Sequence, residues 1–266
     1  MKQITILLTL FTMQFLTGCF QSAVGLHVKP DGSGTLDQVF SMSAEALAQA
    51  KQMQGGSGGE GAPSQKLPTE IDEAKLKAAA AKLGEGVTFV SAKKLALPGR
   101  EGFVATYAFT DITKLKVTSG PDMGEQAGGG MPGGEKEEPV TFEFTKGSPC
   151  ELIIHTPVKK KAEAKEQPND AMAEQMMPMM AQMFKDMRVS FVVDVQGTIV
   201  KTNAANREDN RVTLMDVEFG KVLADPAKFK AMAKLGDPTT PEAKALLKTI
   251  PGVKVETENP VRISFK

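Results

Sequence analysis

The sequence predicts an α+β fold in which an antiparallel β-sheet built from hairpins carries several inserted helices. Apolar and polar residues alternate in pairs of segments joined by short Gly- or Pro-containing turns, which is typical of β-hairpins. Segments with helical periodicity and N-terminal capping residues lie between those pairs. Two glycine-rich stretches, at about 55–68 and 119–139, are expected to be flexible loops.

The first hairpin is predicted around the turn Asp31-Gly32-Ser33-Gly34. Val24, Leu26 and Val28 alternate with smaller or polar residues before this turn, and the alternation resumes from residue 35 to residue 42. Glycine tolerates the positive φ angles that such turns need. We therefore expect a strand, a tight turn and a second strand.

Two helices are predicted after this hairpin, each with a polar capping residue. Ser43 is placed to cap an alanine-rich helix that runs to about Gln54. Thr69 is placed to cap the second helix, which Gly84 ends. The first glycine-rich stretch lies between the two helices and is expected to link them.

The rest of the chain alternates strand patterns with helical ones. Strands are predicted at residues 87–97, 103–110, 140–145, 151–156, 188–195, 198–202, 211–219, 253–256 and 261–265. Helices are predicted at residues 169–187, at 221–235 with a break at Pro226, and at 241–249. Val189, Phe191, Val193 and Val195 are predicted to share one face of their strand. The strands are expected to pair with their neighbours in sequence.

The N-terminal segment has the parts of an export signal. Lys2 supplies one positive charge, an apolar stretch follows, and small residues precede Cys19. The apolar stretch is shorter than the run of about 20 residues with which a helix crosses a bilayer. Residues 1–18 are therefore predicted to be a signal peptide and residues 19–266 the mature domain.

The tetrapeptide Leu16-Thr17-Gly18-Cys19 resembles the lipobox of bacterial lipoproteins. The resemblance implies that the Cys19 thiol carries a diacylglyceryl group, that signal peptidase II cleaves before this residue, and that the new amine is acylated too. Leu16 and Gly18 match the recognition positions. The implied location is a membrane of the cell envelope, and Phe20 after the cysteine favours the periplasmic face of the outer membrane in a diderm host. The alternative is an ordinary secretory signal that ends near a cysteine.

Charge and cysteine content exclude several classes of function. The chain has 32 basic and 32 acidic residues, and removal of the signal peptide takes away one positive charge. A near-neutral domain does not suit a nucleic-acid partner, which calls for a strongly basic face. With Cys19 lipidated, Cys150 has no disulfide partner. We expect it to be a plain small residue, because nothing nearby in sequence supplies the environment of a reactive thiol.

A methionine-rich segment is the sharpest candidate for a binding surface. A helix over residues 169–187 would place six methionines on one stripe roughly 100° wide, namely Met172, Met176, Met179, Met180, Met183 and Met187. We expect this stripe to be an apolar packing face. Two alternatives remain open: thioethers select Cu(I), and methionine surfaces can line a lipid pocket. No resident metal or other cofactor is predicted.

No catalytic residue is predicted. His27 and His155 alternate with apolar residues in predicted strands, and two histidines without carboxylates at ligand spacing do not make a zinc site. A Walker-type phosphate loop is absent, and the one Gly-x-Ser-x-Gly match lies in the glycine-rich linker. The alternative to a non-enzymatic protein is a hydrolase assembled from distant residues, with His27 or His155 in the site.

Two stretches carry a resemblance to a known family. The first, residues 26–35, is a strand with an Asp-Gly-Ser-Gly turn shortly after the lipobox cysteine. The second, residues 193–203, is a strand-Gly-strand unit ending in Asn203, and another strand pattern begins near Asn210. Both are similar to stretches of the LppM-like bacterial lipoproteins, although members of that family often have Trp where this chain has Leu214. The resemblance implies an envelope lipoprotein with a mixed sheet-and-helix domain, and it implies no catalytic residue.

Taken together, these patterns predict a lipid-anchored envelope protein that is not an enzyme. Its mature domain is expected to bind an envelope lipid or a protein partner. An anchored hydrolase ranks second, and a Cu(I)-binding protein that uses the methionine stripe ranks third.

Overall fold

Two β-sheets form the protein in the computed structural model, which describes residues 20–56, 67–118, 138–157, 184–233 and 237–266. The larger sheet contains β1 (Phe20–Val28), β2 (Gly34–Ser43), β3 (Thr88–Leu97), β4 (Arg100–Phe109), β7 (Arg188–Val195), β9 (Arg207–Glu208), β10 (Arg211–Glu218) and β11 (Val253–Val255). The smaller sheet contains β5 (Thr141–Thr145), β6 (Cys150–His155), β8 (Ile199–Thr202) and β12 (Val261–Phe265).

The strand order shows a mainly antiparallel arrangement. In the larger sheet the order is β11-β10-β7-β1-β2-β4-β3, with β9 paired to β10, and in the smaller sheet it is β5-β6-β12-β8. Among the described strands, only β1 and β7 run parallel, with Gln21 opposite Arg188 and Val28 opposite Val195. The predicted α+β class with antiparallel sheet is confirmed.

Pairing between sequence neighbours holds for three hairpins and is wrong for two later strands. β1 pairs with β2, β3 with β4, and β5 with β6. β7 instead takes the second edge of β1, and β8 joins the smaller sheet beside β12. The chain changes sheets at Gly197, where φ is 151° and a Cβ would lie 2.5 Å from the Lys266 carbonyl oxygen. Glycine permits both the backbone angle and the close approach.

The main core lies between the two sheets. Its largest fully buried side chains come from both sheets and their connections, and they include Leu26, Leu36, Tyr107, Phe191, Leu152, Ile154, Ile263 and Phe265. The four residues predicted to share one face of β7 are all buried, and this face lies toward the core. This alternation leaves the intervening residues of β1 and β7 on the opposite, outer face of the larger sheet.

The helices flank the strands. They are α1 (Ala44–Gly56), α2 (Glu73–Leu83), α3 (Phe219–Leu223), α4 (Pro226–Ala233), α5 (Pro241–Leu247) and a short 3₁₀ turn (Ile112–Lys114). The predicted break at Pro226 is confirmed, since this residue begins α4 and proline suits the first helical position. A second, smaller hydrophobic cluster around Val217, Val222 and Ile250 joins β10, α3 and the segment after α5.

One of the two predicted helix caps is confirmed and the other is wrong. The Ser43 hydroxyl accepts a hydrogen bond from the Ala46 N–H at 3.2 Å and caps α1. At α2 the cap is Asp72, whose Oδ1 accepts from the Lys75 N–H at 3.3 Å. Thr69 lies in a turn that precedes the helix, so the cap is three residues later than predicted.

Several predictions concern residues outside the described ranges. They are the signal peptide with Leu16 and Gly18, Cys19, most of the two glycine-rich stretches, and five of the methionines, Met172, Met176, Met179, Met180 and Met183. Met187 is described, and it lies half-buried immediately before β7. No helix within the described ranges has the length and apolar character needed to span a bilayer.

Candidate functional site

A row of charged side chains crosses four neighbouring strands on the outer face of the larger sheet. We call its four residues the charged row: Arg211 on β10, Asp194 on β7, His27 on β1 and Asp37 on β2. Leu26 and Val28 on either side of His27 are fully buried in the main core. Because successive side chains alternate along a strand, His27 points to the outer face.

Short contacts connect the members of the row. Arg211 donates to both carboxylate oxygens of Asp194, from Nε at 2.7 Å and from Nη2 at 2.9 Å. His27 places Nδ1 3.5 Å from Asp194 Oδ2 and Nε2 3.4 Å from Asp37 Oδ2. The Thr106 hydroxyl on β4 donates to Asp37 Oδ1 at 2.6 Å, which extends the contacts to a fifth strand.

Sheet register and one glycine produce this arrangement. His27 is directly opposite Asp194 in the parallel β1–β7 pair, whereas Asp37 is opposite Gly25 in the β1–β2 pair. The His27 ring therefore reaches Asp37 diagonally, over the space that a side chain at position 25 would occupy. A Cβ on Gly25 would lie 3.6 Å from His27 Nε2, so alanine would fit there and a larger side chain would compete with the ring.

The electrostatics of the row favour a protonated imidazole. The contact with Asp37 raises the pKa of His27 above its ordinary 6.5, burial opposes this effect, and the charge of Asp194 adds to it. Burial opposes ionisation of Asp37, but hydrogen bonds from His27 and Thr106 outweigh burial and lower the pKa of Asp37 below 3.8. Basic and acidic side chains therefore alternate along the row from Arg211 to Asp37.

The contacts of His27 and Thr106 are directed within the charged row. Both ring nitrogens of His27 face carboxylates, so neither is directed at a nucleophile, and the Thr106 hydroxyl bonds to Asp37 instead of the imidazole. A general base must contact the group that it activates and must be unprotonated at the working pH. Within the part of the chain that the structure describes, no group of three or more His, Cys, Asp or Glu side chains is placed to hold a metal ion.

The structure does not bring the two predicted histidine candidates together. His155 lies in the smaller sheet, where its Nε2 is 2.8 Å from Glu143 Oε1 in an exposed pair. Cys150 is 1% exposed, and its thiol donates to the Phe265 carbonyl at 3.1 Å. Burial raises the pKa of the Cys150 thiol. The burial of Cys150 and its bond to a backbone carbonyl agree with the expectation that it is a plain small residue and not a reactive thiol.

A buried carboxylate that the sequence analysis did not single out connects two backbone segments. Glu256 is 4% exposed. Its Oε2 accepts hydrogen bonds from the N–H groups of Ala205 and Asn206 at 2.9 and 3.1 Å. Its Oε1 accepts from those of Thr257 and Glu258 at 2.9 and 3.0 Å. One side chain thereby joins the loop after β8 to the segment between β11 and β12.

The residues of the second family-like stretch have structural roles. Asn203 donates to the Pro260 carbonyl at 3.0 Å and accepts from the Arg262 N–H at 2.7 Å, which fixes the end of β8 against β12. Asn210 donates to the Val195 carbonyl at 2.9 Å at the end of β7. These contacts explain why asparagines occur at the two turns, and they assign no chemistry to them.

Comparison with known proteins gave one structural similarity. No protein-family model matches the chain, and no curated protein matches it. The NMR structure of the folded domain of Mycobacterium tuberculosis LppM has 11% sequence identity and a TM-score of 0.32, with 79% of this chain and 88% of that chain covered. A similarity of this size does not establish a shared fold, so no property of that protein is transferred to this chain.

Proposed function

We propose that this chain is a lipid-anchored envelope protein whose sheet domain binds a lipid or protein partner and catalyses no reaction. The observation that carries the proposal is the continuity between the lipobox-like sequence and the fold. β1 begins at Phe20, the residue directly after Cys19. With acyl chains on Cys19, the folded domain starts at the membrane surface without an intervening linker.

The anchoring part of the proposal uses the N-terminal sequence. Residues 1–18 serve as the signal peptide, Leu16 and Gly18 are read by the peptidase, and residues 19–266 form the mature protein. Two or three acyl chains hold a protein at a membrane far more firmly than one chain does. The periplasmic face of the outer membrane is the location in a diderm host, and the LppM-like lipoproteins are the family to which the motifs at 26–35 and 193–203 point.

The non-enzymatic part of the proposal is supported by the state of the candidate side chains. His27 is held between two carboxylates, which occupy both of its ring nitrogens. Cys150 is buried and hydrogen-bonded to backbone. A binding role needs no such group, because a sheet face or edge provides contacts by shape and apolar area.

Mass spectrometry of the N-terminal peptide tests the anchor. The protein purified from membranes of a bacterial host should yield a peptide that starts at Cys19 and carries diacylglyceryl and acyl masses. A Cys19→Ser variant should move to the soluble envelope fraction, while Cys150→Ser should stay with the membrane. An unmodified Cys19 would contradict the anchor.

Two further measurements test the binding role. If the partner is a lipid, native mass spectrometry of the Cys19→Ser protein should show added mass that organic solvent removes. If the partner is a protein, whole-cell crosslinking should capture the same protein reproducibly. The double variant His27→Gln/His155→Gln should keep the cellular phenotype. Loss of that phenotype with retained folding would favour a hydrolase and overturn the non-enzymatic assignment.

A further inference from the structure

Three phenylalanines form a contiguous aromatic row on the core-side face of the larger sheet. Phe20 on β1 and Phe40 on β2 have ring centroids 5.0 Å apart in an edge-on arrangement, and Phe40 and Phe103 on β4 are 6.1 Å apart. Phe40 and Phe103 are directly opposite each other in the β2–β4 pair. We call Phe20, Phe40 and Phe103 the aromatic row.

The smaller sheet leaves this end of the larger sheet incompletely covered. On the same face, Leu36 and Tyr107 toward the other end of β2 and β4 are fully buried. The three rings of the aromatic row are only partly buried. Among the described residues, Phe20 and Phe40 belong to neither hydrophobic cluster, although Phe103 packs against the main core. Phe20 and Phe40 therefore form an apolar surface outside both clusters of the described residues, and Phe103 joins this surface to the main core.

The position of this surface along the chain indicates its partner. Phe20 directly follows Cys19, and consecutive Cα atoms are about 3.8 Å apart, so the row begins where the acyl chains of Cys19 would enter the membrane. We propose that the aromatic row inserts into the interfacial region of the same lipid bilayer and fixes the orientation of the sheet on it. The inference rests on the proposed lipidation of Cys19, and it adds a second contact that the anchor alone does not provide.

The side chain beside the row fits a bilayer surface. Lys94 on β3 is directly opposite Phe103, shares its face of the sheet, and is exposed. A lysine at the edge of an apolar surface can lay its methylene groups along that surface and hold its ammonium group among lipid phosphates. Aromatic rings next to such a cation favour the boundary between headgroups and acyl chains.

The composition of the chain makes a direct test possible. The protein has no Trp, so Phe40→Trp introduces a single indole at the centre of the row, and Phe103→Trp introduces one at its far end. The matched control is Phe144→Trp, on β5 of the smaller sheet, where the native ring lies 6.4 Å from Phe265. Each full-length lipidated variant is reconstituted into vesicles of phosphatidylcholine and phosphatidylglycerol, and its fluorescence is measured with and without brominated acyl chains.

Insertion predicts a blue-shifted indole emission that brominated lipid quenches strongly in Phe40→Trp and Phe103→Trp and hardly at all in Phe144→Trp. Equal quenching in the row and control variants would overturn the proposal. Full accessibility of both row indoles to aqueous iodide would also overturn it. Indoles shielded from both quenchers would show that a protein surface covers the row, and this result too would overturn bilayer insertion.

Two controls separate this inference from the anchor. The mass of the N-terminal peptide reports whether Cys19 is lipidated in the same samples. If the protein is lipidated but the row indoles are not quenched, bilayer insertion of the row is disproved and the lipid anchor is not. A row variant enters the comparison only if its thermal unfolding midpoint matches that of the unsubstituted protein. The two row positions provide independent probes, since Phe40 and Phe103 lie on different strands.

Discussion

Arg211 donates hydrogen bonds to both carboxylate oxygens of Asp194, and the two residues lie directly opposite each other in the antiparallel β10–β7 pair. Asp194 is also opposite His27 across the parallel β1–β7 pair. The Asp194 carboxylate on β7 therefore contacts β10, which follows soon after in the chain, and β1, which lies near its start. Its side chain is only 12% exposed, so the charge depends on these partners more than a surface charge would.

Removal of the Arg211 guanidinium should destabilise the domain. Arg211→Met keeps an apolar stem but leaves the Asp194 carboxylate without its two charge-assisted hydrogen bonds, at a cost of about 1–3 kcal/mol in the free energy of unfolding. The free energy of unfolding of Arg211→Lys should lie between those of the unsubstituted protein and Arg211→Met, because lysine cannot donate two parallel hydrogen bonds to one carboxylate. Urea unfolding of the three proteins measures the order.

Arg262→Met is the matched control for this series. Its ion pair with Glu151 is 3.6 Å long and about half exposed on both sides, so its loss should change the free energy of unfolding by less than about 0.5 kcal/mol. Equal effects of Arg211→Met and Arg262→Met would show that the Arg211–Asp194 pair adds nothing beyond a surface contact.

Replacement of His27 should change how stability depends on pH. Folding raises the pKa of His27 from 6.5, so its contribution is complete below about pH 6.5 and is lost as pH rises through the folded-state value. Folding lowers the pKa of Asp37 from 3.8, so its contribution is present above that pH and is lost as pH falls through the folded-state value. The contact is therefore strongest between about pH 4 and pH 6.5.

The corresponding measurement compares His27→Gln with the unsubstituted protein by urea unfolding at pH 5.5 and pH 9. We expect a loss of about 1 kcal/mol at the lower pH and a smaller loss at the higher pH. The charged groups that act on the pKa of His27 are Asp37, Asp194 and Arg211, and Lys93 acts on the pKa of Asp37. His155→Gln, in an exposed pair, is the control for loss of a histidine, and a pH-independent loss in His27→Gln would refute the linkage.

Glu256→Gln should weaken the connection between β8 and the last two strands. The substitution replaces one acceptor oxygen with an NH₂ group that would face backbone donors, which should cost about 1–3 kcal/mol. Glu258→Gln is the control, because its partly exposed pair with Lys244 at 2.7 Å should contribute less than about 1 kcal/mol. Thermal unfolding of both variants checks the difference, and indistinguishable midpoints would exclude a special role for Glu256.

Gly102→Ala should be much more destabilising than Gly25→Ala. A methyl group at position 102 would collide with the Phe40 carbonyl oxygen and come within 2.6 Å of the Ser41 Cα, whereas at position 25 the nearest atom is 3.6 Å away. Overpacking against backbone costs about 1–3 kcal/mol. Denaturant midpoints of the two variants give the comparison, and similar values would mean that β2 and β4 can move apart without cost.

The sequence predicted much of the local structure for identifiable reasons. The alternation around Val24, Leu26 and Val28 and the glycines of the following turn specify the first hairpin, because side-chain direction in a strand has period two. Ser43 was recognisable as a cap because a hydroxyl before an alanine-rich segment meets the free N–H groups of a helix start. Thr69 failed as a cap because Asp72, closer to the helix, offers the better acceptor.

The sequence by itself therefore determined the strands, their buried faces, most turns and the α+β class. Tertiary structure alone decided which edges meet: the parallel pairing of β1 with β7, the transfer of β8 to the smaller sheet, and hence the meeting of His27 with Asp194. The physical reason is that period-two alternation encodes which face is buried, whereas the hydrogen-bonding groups at a strand edge are nearly the same for every residue. The charged row and the four hydrogen bonds to Glu256 depend on which strand edges pair, so the sequence pattern alone did not predict them.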